Sequence, residues 1–358
     1  MSWTYPREES RLGDMNEERK VALVAGANGV IGKNLIEHLE SRPGWRVIGL
    51  SRRGGPGQIA VDLLDADDTR AKLGGLDDVT HVFYAAYVDK PTWAELVPPN
   101  LAMLTNLVDA IEPAAPGLRH VSLMQGYKVY GAHLGPFKTP AREDDAGHMP
   151  PEFNVDQQQF LERRQAGKAW TWSAIRPSVV GGTALGNPMN LALAIAVYAS
   201  ISKELGLPLR FPGKPGAYDS LLEMTDAGLL AKATVWATGA ENEAFNIANG
   251  DLFRWSDLWP KIARYFDLEV APPLPMSLDV VMADKEELWT SIAAKYGLEV
   301  PYSAVSSSWG FADFVFGWDY DMFADGSKAR RAGFHEYAET SSMFFRLFDE
   351  FKKAKVIP

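Results

Sequence analysis

Short apolar runs alternate with stretches of helical periodicity from about residue 20 to about residue 180. The runs have the length of buried strands, and the stretches between them repeat apolar residues every three to four positions. Strand–helix units repeated in this way predict an α/β fold with a doubly wound parallel sheet. The predicted strands are 21–25, 45–50, 80–87, 119–124 and 171–177, and the predicted helices are 30–41, 66–73, 98–112 and 154–167.

The alternation loosens beyond residue 180. A loop rich in Gly, Asn and Pro precedes a predicted helix at 189–205, and a helix at 224–237 and a strand at 243–247 resume the earlier pattern. The remainder is mostly helical, rich in Trp and Phe, and ends in an amphipathic helix at 339–354. We therefore expect a flexible tail (1–19), a nucleotide-binding core (20–185, rejoined by 219–250) and a smaller, mostly helical substrate-binding cap (186–218 and 251–358).

Composition narrows the possible functions. A formal net charge of −10 over 358 residues argues against nucleic-acid binding, which depends on clustered cations. No apolar run is long enough to cross a membrane, and the polar N-terminus lacks a signal-peptide core. The absence of cysteine excludes disulfides and thiolate catalysis and is compatible with a cytoplasmic location. Six scattered histidines show no metal-ligand spacing, so we expect no metal site.

A glycine loop follows the first predicted strand and opens the first predicted helix. Its sequence is Gly26-Ala-Asn28-Gly29-Val30-Ile31-Gly32. Glycines in this context allow a tight turn and a close approach of the backbone to a diphosphate, whose charge lies at the helix N-terminus. The alternative is a tight strand–helix turn without a ligand. The strand before the loop and the second strand about twenty residues later favour a dinucleotide site of the Rossmann type.

The end of the second predicted strand indicates which dinucleotide binds. An acidic residue there favours a free ribose 2′-hydroxyl, whereas this chain has Ser51-Arg52-Arg53, which favours a 2′-phosphate and hence NADPH. Surface arginines without this role are the alternative. The further predicted cofactor contacts are a loop beside the adenine ring, the carboxyl ends of two strands, and a segment facing the nicotinamide: Asp62, Leu63, Tyr84, Ala85, Tyr87, Gln125, Lys128, Pro177, Ser178, Val179 and Val180. Met189, Phe211, Trp309 and Phe316 are candidates for lining the substrate pocket, with core positions as the alternative.

Several longer segments resemble one family of extended short-chain dehydrogenase/reductases, that of progesterone 5β-reductase and iridoid synthase. They are GANGVIG (26–32), SLMQGYKVYG (122–131), HLGPFKTPAREDD (133–145), WTWSAIRPSVVGG (170–182) and AFNIANGDLFRWSDLWPKIA (244–263). The resemblance implies an NADPH-dependent enzyme that reduces activated C=C bonds of small apolar enones and enals. It also implies a homodimer.

The resemblance carries two catalytic positions over to this chain. The family lysine lies in a Gly-x-Lys-x-Tyr segment, which Gly126 to Tyr130 matches, so Lys128 is the predicted catalytic lysine. The family tyrosine lies in an Asn-Phe-Tyr-Tyr-Asp segment, which aligns with Glu152 to Asp156 and places Asn154 at the tyrosine position. An amide can donate a hydrogen bond but cannot act as an acid near neutral pH.

This departure leaves three interpretations. The enzyme reduces activated alkenes with Lys128, Asn154 and Tyr127 as hydrogen-bond donors. The chemistry has shifted to another carbonyl or imine, or to a non-redox step in the same pocket. The protein binds the cofactor with little or no turnover.

Overall fold

The computed structural model describes residues 19–358, so the predicted tail at 1–19 lies outside the described residues except for Arg19. The strands in this part of the chain are β1 Lys20–Ala25, β2 Trp45–Ser51, β3 Gln58–Ala60, β4 His81–Tyr84, β5 His120–Met124, β6 Thr171–Pro177, β7 Val179–Gly181, β8 Leu209–Arg210, β9 Met224–Asp226, β10 Glu243–Ile247 and β11 Val270–Ala271. The α-helices are α1 Val30–Glu40, α2 Ala66–Leu73, α3 Trp93–Ala114, α4 Phe153–Gln165, α5 Leu191–Glu204, α6 Pro215–Asp219, α7 Ala227–Trp236, α8 Trp255–Tyr265, α9 Leu278–Val281, α10 Glu286–Tyr296, α11 Tyr302–Val305, α12 Trp309–Phe316, α13 Ser327–Arg331 and α14 Thr340–Lys353.

One parallel sheet organises the fold, which confirms the predicted doubly wound α/β class. Within residues 19–358 its seven strands follow the order β10-β6-β5-β4-β1-β2-β3. The side chains of β1 alternate between two buried layers. Leu23 packs with the helices α2, α3 and α4, whereas Val24 packs with α1 and α7 on the opposite face. A sheet buried on both faces explains why its strands read as continuous apolar runs.

Several element boundaries differ from the sequence prediction for local reasons. Helix α3 begins at Trp93 rather than at 98, because Thr92 and Glu95 form a reciprocal capping box ahead of the two prolines. Asn100 therefore lies inside α3, where its side chain donates to the backbone oxygen of Val88 and accepts from the backbone N–H of the same residue. Strand β4 ends at Tyr84 because its neighbour β1 ends at Ala25, the residue paired with Tyr84, and turns into the glycine loop.

The region after β7 packs around a second core, made largely of aromatic rings. Phe211 lies 5.1 Å from Phe316 and 5.3 Å from Trp259, measured between ring centroids. Trp309 is also buried in this cluster. These positions show that Phe211, Trp309 and Phe316 serve the core rather than line the pocket. This helical region covers the carboxyl end of the sheet, the edge at which ligands bind in open α/β folds.

Among residues 19–358, no helix is long and apolar enough to cross a membrane. The same residues contain no cluster of three histidine or carboxylate side chains that would hold a metal ion.

Candidate active site

The loop between β1 and α1 has the geometry of a phosphate-binding turn. Gly26 has φ of +85°, and a Cβ there would lie 2.6 Å from the backbone oxygen of Ala85. A Cβ on Gly32 would lie 2.2 Å from the backbone oxygen of Gly26. Gly29 begins α1 without a side-chain cap, and the first turn has no acidic residue. The backbone N–H groups of this turn are therefore free of a competing carboxylate, and the residues present fit a dinucleotide diphosphate.

The end of β2 presents two cations. Ser51 closes a small turn, since its hydroxyl donates to Gln58 at 2.8 Å and accepts from the backbone N–H of Gly54 at 3.0 Å. Arg52 and Arg53 are exposed beside this turn. Asn28, in the glycine loop, accepts a hydrogen bond from the same Gln58 at 2.9 Å. Gln58 thus connects the glycine loop, through Asn28, to Ser51, the residue that precedes the two arginines. Sequence reasoning missed this connection.

The structure separates the other predicted cofactor residues by exposure. Asp62 is exposed, and its carboxylate accepts from the backbone N–H of Leu64. Leu63 and Tyr84 are buried in the core between the sheet and α3, and the Tyr84 hydroxyl donates to the backbone oxygen of Asn100. Side-chain contacts from Leu63 or Tyr84 to a bound nucleotide are therefore not available, because both side chains are used in packing.

A cavity of about 220 Å³ lies at the carboxyl ends of β4, β5 and β6. Its lining includes most of the predicted site: Val30, Ile31, Ala85, Tyr87, Gln125, Tyr127, Lys128, Asn154, Pro177, Ser178, Val179, Val180 and Met189. It also includes residues that the sequence did not identify: Ala86, Met124, Gly126, Ala132, His133, Phe153, Gln157, Phe311, Phe314, Trp318 and Met322. The helical region after β7 contributes Phe311, Phe314, Trp318 and Met322. Because these side chains are aromatic or apolar, the sequence alone could not distinguish them from core residues. The lining is mostly apolar, which suits an apolar ligand with few polar groups.

Lys128 lies on the 3₁₀ turn after β5, and its ammonium group is placed over two aromatic rings. Its Nζ is 5.4 Å from the ring centroid of Tyr87 and 5.0 Å from that of Trp93. Burial lowers the pKa of Lys128, while the negative charges of Glu152 and Asp89 oppose that shift. Cation–π contacts leave the N–H groups of the ammonium without an acceptor oxygen in the described part of the chain.

His133 is a neutral neighbour of this lysine. Its ring packs edge-on against Trp93, with centroids 4.4 Å apart. Burial, together with the charge of Lys128, lowers the pKa of His133 to about 4. Lys128 is therefore the cationic side chain in the cavity lining near neutral pH.

Asn154 is buried at the start of α4, where its side-chain nitrogen and its backbone oxygen already bond to protein. Its Nδ2 donates to Glu152 Oε1 at 2.7 Å, and its backbone oxygen accepts from Gln125 Nε2 at 2.8 Å. Glu152 is the N-cap of α4, and burial raises the pKa of its carboxyl group. Gln125 is engaged at both ends, because Arg176 Nε donates to its Oε1 at 2.8 Å. Asn154 thus has one N–H fewer to offer a ligand than the sequence suggested.

Tyr127 points its hydroxyl away from Lys128. The Oη donates to Glu223 Oε1 at 2.5 Å, and the same carboxylate oxygen accepts from the backbone N–H of Ala324. Burial raises the pKa of Tyr127, and the charge of Glu223 adds to the shift. Donation to a substrate would require this charged hydrogen bond to break, at a cost of about 1.5–3 kcal/mol. The geometry therefore argues against the predicted role of Tyr127 as a ready donor.

Comparison with known proteins places this site in a family context. Residues 59–358 match the model of the PRISE-like Rossmann-fold domain. The chain is 33% identical to an (S)-8-oxocitronellyl enol synthase of Camptotheca acuminata, over 95% of this chain and 94% of that protein. It is 34% identical to a 3-oxo-Delta(4,5)-steroid 5-beta-reductase of Arabidopsis thaliana, over 94% of this chain and 93% of that protein.

Solved structures agree in fold. An NADP-bound GDP-L-fucose synthetase of Naegleria fowleri superposes with a TM-score of 0.67 at 13% identity, covering 98% of each chain. A UDP-glucose 4-epimerase of Thermus thermophilus, in complex with NAD, gives a TM-score of 0.65 at 18% identity, covering 93% of this chain and 99% of the epimerase. At these identities the likeness shows the fold alone.

Proposed function

The chain belongs to the PRISE-like Rossmann-fold family, and from that premise we propose that it is an NADPH-dependent reductase of activated C=C bonds in small apolar carbonyl compounds. The observation that carries the proposal is the position of Lys128. A partly buried ammonium group lies in a mostly apolar cavity at the carboxyl end of the sheet, with its N–H groups available to a ligand oxygen.

The cofactor site supports NADPH. The glycine turn and the open N-terminus of α1 suit the diphosphate, and the exposed Arg52 and Arg53 suit a ribose 2′-phosphate. When bound, NADPH supplies the hydride for the β-carbon of the substrate. The cavity wall formed by Pro177, Ser178 and Val179 adjoins the turn and is the predicted nicotinamide face.

Lys128 stabilises the negative charge that develops on the carbonyl oxygen. Addition of hydride at the β-carbon moves electrons through the former C=C bond and gives an enolate. A donor placed where this charge forms, in an apolar surrounding, lowers the barrier. The proton that completes the α-carbon then comes from solvent, because the cavity lacks an uncommitted phenol.

This missing acid favours C=C reduction over ketone reduction. A ketone that accepts hydride becomes an alkoxide, which needs a proton at once. An enolate is a weaker base than an alkoxide, so it persists long enough to take its proton from water. Asn154 cannot supply a proton near neutral pH, and the Tyr127 hydroxyl is held by Glu223. The site thus retains the part of the family chemistry that needs a cation and lacks the part that needs an acid.

NADPH oxidation with a panel of small enones, enals, ketones and imines tests the proposal. We expect turnover with enones or enals and a loss of at least about 10²-fold in Lys128→Met. Lys90→Met, which removes an exposed lysine near the same loop, is the matched control and should retain activity. Turnover restricted to ketones or imines would replace the proposal with the second interpretation. Tight NADPH binding without turnover on any compound would support the third.

We also propose that the protein is a cytoplasmic homodimer: the resemblance implies the dimer, and the absence of cysteine is compatible with the cytoplasm. Light scattering of the purified protein tests the dimer, and a monomer at micromolar concentration would refute it.

A further inference from the structure

Two amide side chains of α4 line the cavity, and each donates one N–H of its NH2 group to a protein acceptor. Asn154 Nδ2 donates to Glu152 Oε1, and Gln157 Nε2 donates to the backbone oxygen of Asn100, both at 2.7 Å. The two residues are three positions apart, so they lie on the same face of the helix. Both are buried, and both belong to the cavity lining.

The side-chain oxygen of each amide remains available to a ligand. Within residues 19–358 no donor reaches Asn154 Oδ1 or Gln157 Oε1. The oxygen and the nitrogen of an amide lie on opposite sides of the same planar carbon. When the nitrogen points at a protein acceptor, the oxygen therefore points away from that acceptor. Most of the side chains that line the cavity are apolar, and Phe153, which precedes Asn154, is one of them.

Glu152 fixes the orientation of Asn154 by charge. Its carboxylate accepts from Asn154 Nδ2 and from the backbone N–H groups of Asn154 and Val155, so it is held at the helix N-terminus. Turning the Asn154 amide over would replace a charged hydrogen bond with contact between two oxygens. In a buried setting such a contact is strongly disfavoured, which keeps the amide in one orientation.

We propose that Asn154 and Gln157 form an acceptor pair that selects substrates carrying a hydroxyl group in addition to the activated carbonyl. This inference rests on the proposed function for the identity of the carbonyl compound. Lys128 donates to the carbonyl oxygen, and the acceptor pair receives the substrate O–H. A neutral hydroxyl suits the pair better than an ammonium group, because the cavity already contains the charge of Lys128 and its lining is mostly apolar.

The preference has an expected size. A ligand without a donor buries the amide oxygens unsatisfied, which weakens binding by about 5- to 150-fold, equivalent to 1–3 kcal/mol. The sequence alone suggested the opposite hydrogen-bonding role for this site. At Asn154 it suggested a hydrogen-bond donor that replaces a phenol, whereas the hydrogen bond that Asn154 donates to Glu152 leaves the side-chain oxygen as the acceptor available to the cavity.

Binding to the NADP⁺-loaded protein tests the proposal without turnover. The probes are a hydroxycyclohexanone and the corresponding methylcyclohexanone, with the substituent at either of the two ring positions remote from the carbonyl, measured by calorimetry. We expect at least one hydroxylated isomer to bind about 5-fold or more tightly than its methyl counterpart. Asn154→Leu combined with Gln157→Leu should bring the ratio close to one. Gln159→Leu, an exposed position on the same helix, should leave it unchanged.

Glu152→Gln provides a second variant that keeps both amides. A glutamine can donate to Asn154 Oδ1, so the amide is free to turn over, and the hydroxyl preference should fall at least about threefold. Equal affinity of both ketones for the wild-type protein, a preference that persists in both variants, or no binding of either ketone would overturn the proposal.

Parallel turnover assays with the matching hydroxy- and methyl-substituted enones separate this inference from the proposed function. Turnover of both enones without a hydroxyl preference refutes the acceptor pair and leaves the reductase proposal standing. A hydroxyl preference in binding, without oxidation of NADPH by either enone, refutes the reductase proposal and supports the acceptor pair.

Discussion

Replacing Glu223 with glutamine tests the electrostatics of the wall behind the cavity. Glu223 is 6% exposed and lies where β9 is about to begin. Burial raises the pKa of its carboxyl group from 4.5 to about 7, although hydrogen bonds from Tyr127 and the backbone of Ala324 oppose the shift. Glutamine has the same shape and can accept the same two hydrogen bonds through Oε1. The substitution therefore removes a titrating charge and little else.

The magnitude follows from linkage between protonation and folding. The folded state holds a proton on Glu223 between pH 4.5 and about 7, whereas the unfolded state has released it. The contribution of this carboxyl group to stability is therefore fully present below pH 4.5 and is lost as pH rises to about 7. A tenfold change in an acid constant is worth about 1.4 kcal/mol, so the total loss is about 3 kcal/mol.

Urea unfolding at several pH values measures the effect. The free energy of unfolding of the wild-type protein, minus that of Glu223→Gln, should fall by about 3 kcal/mol from pH 4.5 to about pH 7.5. The two proteins share all other titrating groups, so the contributions of these groups cancel in the difference between the two free energies of unfolding. Glu241→Gln, at an exposed turn, is the control and should give a difference that does not change with pH. A flat difference curve for Glu223→Gln would refute the assignment of a buried, protonatable carboxyl group.

Three further predictions concern the proposed cofactor site and the proposed catalytic lysine. Gly32→Ala places a Cβ 2.2 Å from the backbone oxygen of the loop's first glycine, so it should lower the free energy of unfolding by more than about 2 kcal/mol. The control is Gly75→Ala, which has open space around its Cβ and should change that free energy by less than about 0.5 kcal/mol in the same urea assay. Arg53→Asp should weaken NADPH binding at least about 10-fold more than NADH binding in a fluorescence titration, and Arg42→Asp should not; equal weakening of both cofactors would contradict the role of Arg53. Burial lowers the pKa of Lys128, so enone reduction should decline as pH rises through a pKa below 10.5, and a rate that stays constant up to that pH would count against a protonated Lys128.

Local sequence features determined the framework of this protein. The apolar runs matched buried strands, and the spacing of the glycines marked the turn because Cβ atoms on Gly29 and Gly32 would both approach the backbone oxygen of Gly26. The predicted α2 and β10 have the observed bounds, Ala66–Leu73 and Glu243–Ile247. Each of these features depends on neighbours along the chain, which a single sequence displays.

Tertiary structure alone decided what the polar groups of the cavity can do. Tyr127 is adjacent to Lys128 in sequence, but its hydroxyl is taken by Glu223, which lies 96 positions later. Gln157 spends its N–H on the backbone of Asn100, 57 positions earlier. A hydrogen bond has a direction and a limited reach, so whether a side chain donates to a ligand or accepts from it depends on partners that only folding brings near. The sequence suggested candidate residues for the site, and the fold decided which of their atoms remain available to a ligand.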